Sequence, residues 1–211
     1  MKKLMLLLLL ASVLCGCDYC DVDQGETYKK WPNGKIAFHI SKDFSTTDIE
    51  NIYEAMDAWE ASTDIEFVEM DVTGDYICYI QLKNESCAKI GHNKNSFVYL
   101  QENLSLYAAM HELGHVICLP DEVRRKDRNS NITIQWDNIK EGEEHNFYID
   151  YKIPSWYYDF EYDLRSIMHY NSFTFLKDRG FVFTVNDDPD MWIFNPEITT
   201  KDIEKVNAIY E

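Results

Sequence analysis

Two histidines four residues apart limit what the middle of this chain can do. His111, Glu112 and His115 form the pattern His-Glu-x-x-His. On an α-helix, residues i and i+4 lie on one face, so both imidazoles can bind one metal ion. Glu112 follows the first histidine and can take a proton from a water molecule beside that ion. The pattern predicts a metal-binding helix, although a buried helix that merely carries two histidines is the alternative interpretation of so short a motif.

The composition indicates a folded, acidic protein. The chain has 211 residues, 45% of them hydrophobic, and a formal net charge of −17 at pH 7. This length suggests one domain with room for two lobes. The negative charge argues against nucleic acid as a partner, because surfaces that bind phosphate backbones are basic.

Residues 1–16 are expected to be a signal peptide of the lipoprotein type. Two lysines precede the apolar stretch 4–14, which is too short to span a bilayer as an ordinary helix. It ends in Leu-Cys-Gly-Cys, which resembles a bacterial lipobox and implies lipidation of Cys17. An ordinary secretory signal is the alternative, because Cys15 is unusual in a lipobox. We therefore expect an exported protein, anchored to a bacterial membrane and facing the periplasm or exterior, or otherwise secreted.

Apolar periodicity predicts the elements around the histidine helix. Residues 46–62 form an amphipathic pattern, with Thr47 and Glu50 as a capping box, and 199–210 is typical of a closing helix. Prolines interrupt the second half. Strands rich in β-branched and aromatic residues are predicted at 36–40, 65–70, 76–82, 97–101 and 181–185. Strands that surround one crossover helix indicate an N-terminal lobe of mixed helix and sheet.

The residues after the histidine helix resemble a known family. The run 111–128 reads HELGHVICLPDEVRRKDR and is similar to the astacin pattern HExxHxxGxxHExxRxDR. The stretch 131–139 is similar to the family's VTINWDNI sequence, 166–170 to its SxMHY turn, and 31–34 to its domain start. Residues 31–211 therefore resemble an astacin-family zinc metallopeptidase, one of the metzincins.

The resemblance implies a fold and several residue roles. The fold would be α+β and metzincin-like, a zincin whose N-terminal lobe holds a twisted mixed sheet, the crossover helix and the histidine helix. The irregular C-terminal lobe would hold a Met-turn with Met168 and the closing helix. Tyr170 would be an extra metal ligand that also stabilises the transition state. Glu122 would be the buried acid that meets the new N-terminus in matured astacins, and substrate would lie along 97–101 as an added strand.

Two positions depart from the family pattern. Asp121 stands where the third histidine ligand is expected, and Cys118 stands where the family has glycine. Since Asp is a legitimate zinc ligand, we predict one Zn²⁺ held by His111, His115 and Asp121. Cys118 as a soft ligand, a weakened site and no site are the alternatives. A Cys at positive φ costs on the order of 1 kcal/mol or more, and Pro120 should still end the helix.

The remaining cysteines raise questions of pairing and latency. Four of them, Cys20, Cys78, Cys87 and Cys118, would stay in the mature chain, and Cys78 with Cys87 is the pairing suggested by their closeness. Residues 17–30 would be a linker or a short pro-segment. A Cys20 thiolate there could cap the zinc as a cysteine switch, and a free or disulfide-bonded Cys20 is the alternative.

Three function classes follow. The leading hypothesis is an exported zinc metalloendopeptidase, a monomer that cleaves peptides or proteins with a water molecule activated by Glu112. A catalytically weakened astacin-like fold that acts as a surface-anchored binding protein is the second. The third is another zinc hydrolase, in which Glu141 or Glu143 supplies the last ligand. The expected partners are a peptide or protein substrate and, through the lipid anchor, a membrane.

Overall fold

A computed structural model describes residues 28–71, 74–94, 96–195 and 197–211 of the chain. The expected signal peptide, the lipidation at Cys17 and the cysteine switch at Cys20 lie outside these residues. In the part of the chain that is described, no helix is both long and apolar enough to cross a membrane.

A five-stranded mixed sheet forms the centre of the N-terminal lobe. Its strands are β1 (Lys35–Ile40), β2 (Glu66–Glu69), β3 (Cys78–Leu82), β4 (Cys87–Ala88) and β5 (Phe97–Leu100), in the order β2-β1-β3-β5-β4. Only β4 runs antiparallel to its neighbour. A parallel pair needs a crossover connection, and helix α1 (Thr46–Glu60) supplies it between β1 and β2. The predicted mixed sheet with a crossover helix is confirmed, and the two-residue strand β4 was not predicted.

The cap of α1 differs from the prediction. Ser45, not Thr47, is the N-cap, and its side chain accepts a hydrogen bond from Asp48 N at 3.2 Å. The Asp48 carboxylate is turned inward, where Oδ1 accepts a hydrogen bond from Leu104 N at 2.8 Å. The helix begins at residue 46 as predicted, but the predicted Thr47–Glu50 capping box is wrong, because Ser45 caps the helix while Asp48 is held by a tertiary contact.

The position of β5 inside the sheet overturns two further expectations. β5 pairs with β3 on one side and with β4 on the other, so a substrate strand cannot add directly to residues 97–101. The same order places β5 between Cys78 and Cys87. Two strand spacings amount to about 9–10 Å, which exceeds the reach of a disulfide. Cys78 is a buried free thiol, and the predicted Cys78–Cys87 pairing is wrong.

The buried hydrophobic side chains form two clusters. Helix α2 (Leu106–Val116) and helix α3 (Thr200–Tyr210) both contribute to the larger core, together with α1, the sheet and Met168. The smaller core lies in the C-terminal lobe, around the antiparallel pair β6 (Ile132–Ile134) and β7 (Phe183–Val185). Tyr170 belongs to this smaller core. The closing helix is confirmed, and its capping box consists of Thr199 and Asp202.

Candidate metal centre

Helix α2 presents His111 and His115 with fixed orientations. The two rings lie edge to face with their centroids 4.8 Å apart. Nδ1 of His111 is 2.8 Å from the carbonyl oxygen of Ile167, and Nδ1 of His115 is 2.8 Å from that of Leu119. A carbonyl oxygen can only accept, so each Nδ1 donates its hydrogen. Both Nε2 lone pairs are thereby left to face the same point, as metal-binding histidines require.

A left-handed residue at position 118 brings the chain back to these histidines. Cys118 has φ +80°, and the N–H groups of Cys118 and Leu119 bond to the carbonyls of His115 and Gly114, which closes the helix end. The turn lets Asp121 reach the site. The expectation that the helix ends before Pro120 is confirmed, and Cys118 takes the conformation for which glycine is normally used.

One oxygen of Asp121 is buried without a hydrogen-bond partner. Asp121 Oδ1 has no hydrogen-bond partner, and it lies 3.4 Å from His111 Nε2 and 3.6 Å from His115 Nε2, which are ion-pair distances when an imidazole is protonated. The other oxygen, Oδ2, accepts a hydrogen bond from the Tyr170 hydroxyl at 3.3 Å. A buried carboxylate oxygen left unsatisfied is costly, so the arrangement calls for a cation between the carboxylate and the two imidazoles.

The three donor atoms fit a zinc ion. They lie within 4.8 Å of one another, and the nitrogen–oxygen distances of 3.4 and 3.6 Å are close to the edge of a tetrahedron with ligands at about 2.0–2.1 Å, which is about 3.3–3.5 Å. Two neutral nitrogens and one carboxylate form a donor set that catalytic zinc sites use. Among the described residues, no other group of three or more His, Cys, Asp or Glu forms such a cluster.

The alternative third ligands lie elsewhere. The Cys118 sulfur donates to the carbonyl of Lys29 at 3.2 Å, and Glu143 accepts a hydrogen bond from Asn146 Nδ2 at 2.9 Å. Glu141 is exposed to solvent. None of the three belongs to the donor cluster of His111, His115 and Asp121.

Burial and mutual charge set the protonation of the site. Burial raises the pKa of Glu112 to about 8, with a further contribution from Asp121 and an opposing one from His111. Burial lowers the pKa of His115 to about 4, which keeps its ring neutral. Burial alone would lower the pKa of His111, but the Asp121 and Glu112 carboxylates raise it to about 9. The carboxylates of Asp121 and Glu112 thus favour a positive charge between the Nε2 atoms of the two histidines.

Met168 fills the space beneath helix α2. Its side chain is fully buried, and a Cβ atom built on Gly114 would overlap its sulfur. Gly114 was not singled out in the sequence, although a glycine inside a helix costs about 1 kcal/mol and often has a packing reason. The close approach of this turn to the helix also delivers the Ile167 carbonyl to His111.

Comparison with known proteins identifies the family. The family model of the astacin peptidases matches residues 23–211. The chain belongs to the astacin family. Human tolloid-like protein 1 is 32% identical over 152 residues, and zinc metalloproteinase nas-8 of Steinernema carpocapsae is 29% identical over 187 residues. The matches cover 71% and 86% of this chain, but the chain spans only 15% and 44% of these relatives.

Solved structures agree with this assignment. High choriolytic enzyme 1, a hatching enzyme zinc-protease from the medaka fish Oryzias latipes, has 26% identity and a TM-score of 0.77, over 87% of this chain and 94% of that chain. Myroilysin has 16% identity and a TM-score of 0.60, over 86% of this chain and 95% of that one, and shows the fold alone. The predicted metzincin-like α+β fold is confirmed.

In this astacin-family chain, buried side chains from other parts of the fold balance the charge of Glu122. Its Oε1 contacts the ammonium of Lys205 and accepts a hydrogen bond from the Tyr157 hydroxyl at 3.0 Å. Its Oε2 lies 3.2 Å from Arg125 Nη1, and Arg125 also forms two hydrogen bonds with Asp127. Sequence reasoning missed Lys205. The available signal was its place on the inward face of α3, beside Val206 and three residues after the capping Asp202.

Proposed function

We propose that this protein is a zinc-dependent endopeptidase that cleaves peptide bonds outside the cytoplasm. The observation that carries the proposal is the buried oxygen of Asp121, which has no hydrogen-bond partner and faces the Nε2 atoms of the two histidines on either side of Glu112. His111, His115 and Asp121 would hold the zinc. When bound, the zinc polarises the scissile carbonyl and makes the attacking water more acidic.

The remaining chemistry falls to residues of the chain. Burial raises the pKa of Glu112, which makes its carboxylate a stronger base than that of an exposed glutamate. It would take the proton of the attacking water and pass it to the leaving amine. The Tyr170 hydroxyl, whose pKa burial raises well above 10, stays protonated and can donate a hydrogen bond to a developing oxyanion.

A matched pair of measurements tests this function. The parent protein and Glu112→Gln are loaded with one equivalent of zinc and incubated with a denatured protein and with quenched fluorescent peptides. We expect the parent to cleave and Glu112→Gln to lose at least about 100-fold in rate while keeping its zinc, because the glutamine cannot accept a proton. A parent that binds zinc and cleaves nothing would favour the binding-protein function instead.

The location and the latency of the protein are proposals from its N-terminal sequence. We propose that the chain is exported and lipid-anchored at Cys17 and that it acts as a monomer. Cys17→Ser should move it from the membrane fraction to the soluble exported fraction. If Cys20 caps the zinc, Cys20→Ala should raise the activity of the unprocessed protein, and equal activity would remove this latency mechanism.

A further inference from the structure

A buried lysine on the closing helix contacts the loop that carries Asp121. The side chains of Lys205 and Glu122 are both 0% exposed, and Lys205 Nζ also lies 4.9 Å from the centroid of the Tyr157 ring. Burying an ammonium is costly unless it is paired. The pairing with Glu122 offsets this cost, although 83 positions of sequence separate the two residues.

Glu122 is well placed to transmit this contact to the metal centre. It directly follows Asp121, and its backbone N–H donates to the carbonyl of Met168 at 3.0 Å. Its carboxylate receives Lys205, Tyr157 and Arg125, all of them buried. The loop after α2 is thus fixed by its backbone on one side and by a satisfied carboxylate on the other.

The same face of α3 holds the opposite side of the centre. Asp202, one helical turn before Lys205, accepts hydrogen bonds from the Ser166 hydroxyl at 2.5 Å and from Ile167 N at 2.9 Å. The carbonyl of Ile167 accepts the hydrogen bond from His111 Nδ1. One helix therefore positions the loop of one proposed ligand through Lys205 and the orientation of another through Asp202.

We propose that Lys205 is a positioning residue of the metal centre. It holds Glu122, and through Glu122 it holds the loop that carries Asp121. The proposal rests on the zinc site proposed above.

The test uses the full chain with Lys205→Met, which is unbranched like lysine, one heavy atom shorter, and uncharged. Lys201→Met is the matched control, because Lys201 is on the same helix but forms an exposed pair with Glu161 at 3.0 Å. Zinc affinity is measured by chelator competition, and the visible spectrum of the Co²⁺-loaded protein reports the geometry at saturating metal. We expect Lys205→Met to bind zinc at least about tenfold more weakly, with a changed Co²⁺ spectrum, and Lys201→Met to match the parent.

A second variant guards against a loss of folding. Lys205→Gln keeps a hydrogen-bond donor for Glu122, and we expect a smaller loss of affinity and a spectrum closer to that of the parent. Folded Lys205 variants with parental affinity and spectrum would overturn the positioning role. A parent that binds metal but cleaves no peptide would overturn only the peptidase function, whereas a parent that binds neither Zn²⁺ nor Co²⁺ would overturn both proposals.

Discussion

The sulfur of Met168 occupies the position that a side chain on Gly114 would need. A Cβ atom at residue 114 would overlap Sδ of Met168, and it would also lie 3.2 Å from the Met168 methyl group and 3.3 Å from Trp59 Cζ2. Glycine at this point therefore lets helix α2 contact the Met168 side chain, which would have to move for any other residue. The contact couples the helix with the two histidines to the turn that orients one of them.

Gly114→Ala should destabilise the protein although alanine is the better helix former. The helix gains about 1 kcal/mol in propensity, whereas overpacking in a tight core costs about 1–3 kcal/mol. We expect a net loss of up to about 2 kcal/mol in urea unfolding and weaker zinc binding, because the Met168 side chain must shift. Gly74→Ala is the control, since its Cβ would meet Ile77 Cδ1 at an ordinary 3.8 Å. Equal stability of Gly114→Ala and the parent would contradict the close contact.

Asp121→Asn should separate charge from shape at the proposed third ligand. Asparagine keeps the outline of the side chain but removes the negative charge between two imidazoles, so zinc should dissociate at least about tenfold more readily. Chelator competition measures this. Undiminished zinc affinity in the variant would mean that another residue completes the site.

Asp121→His tests how the carboxylate affects reactivity. With two neutral histidines and one carboxylate, the site carries a net charge of about +1 when zinc is bound, against about +2 for three histidines. The attacking water should be harder to ionise in the parent. We expect the acidic limb of the pH–rate profile to lie at higher pH in the parent than in Asp121→His. An unshifted or lower limb in the parent would count against Asp121 as a ligand.

Cys118→Gly should be more stable than Cys118→Ala by about 1 kcal/mol, because only alanine keeps a Cβ atom at φ +80°, where L residues are strained. Both variants lose the buried sulfur. Cys78, which is buried in strand β3, provides the control pair. At Cys78, glycine should be the less stable replacement, because it raises the conformational entropy of the unfolded chain and relieves no strain in the folded one. Urea unfolding of the four variants measures the difference, and the same order of stability at both positions would refute the strain at Cys118.

His169 should make the stability of the fold depend on pH. Its Nδ1 donates to the carbonyl of Tyr170 at 2.7 Å, and its Nε2 accepts a hydrogen bond from the Tyr162 hydroxyl at 2.8 Å. Burial lowers the pKa of this histidine from 6.5 to about 4. Between these values the unfolded chain binds a proton that the folded chain does not, so stability falls as pH falls from 6.5 toward 4.

The contribution of this residue can be isolated by substitution. Each pH unit within the window costs at most about 1.4 kcal/mol per histidine. We expect His169→Gln to have a shallower dependence of unfolding free energy on pH between about 6.5 and 4.5 than the parent, whatever its absolute stability. Since the other histidines are common to both proteins, parallel curves would show that His169 does not titrate in this way.

Local geometry made part of this protein predictable from its sequence. The spacing of His111 and His115 fixes both rings on one helix face, and the amphipathic stripes of α1 and α3 follow the helical period. These features depend on neighbours a few positions apart. Asp121 was also found from the sequence, but by its register in the family pattern, and not by any local rule.

Features that depend on contacts between distant elements could be read only from the tertiary structure. The order of strands separated Cys78 from Cys87 and enclosed β5, and the contact of Asp48 with Leu104 moved the cap of α1. The pairing of Lys205 with Glu122 likewise joins residues far apart in the chain. The sequence by itself determined that His111 and His115 could bind one metal ion, because helix geometry is short-range. Only the packed fold decided how they are oriented and held, because those contacts form when elements from both lobes close around them.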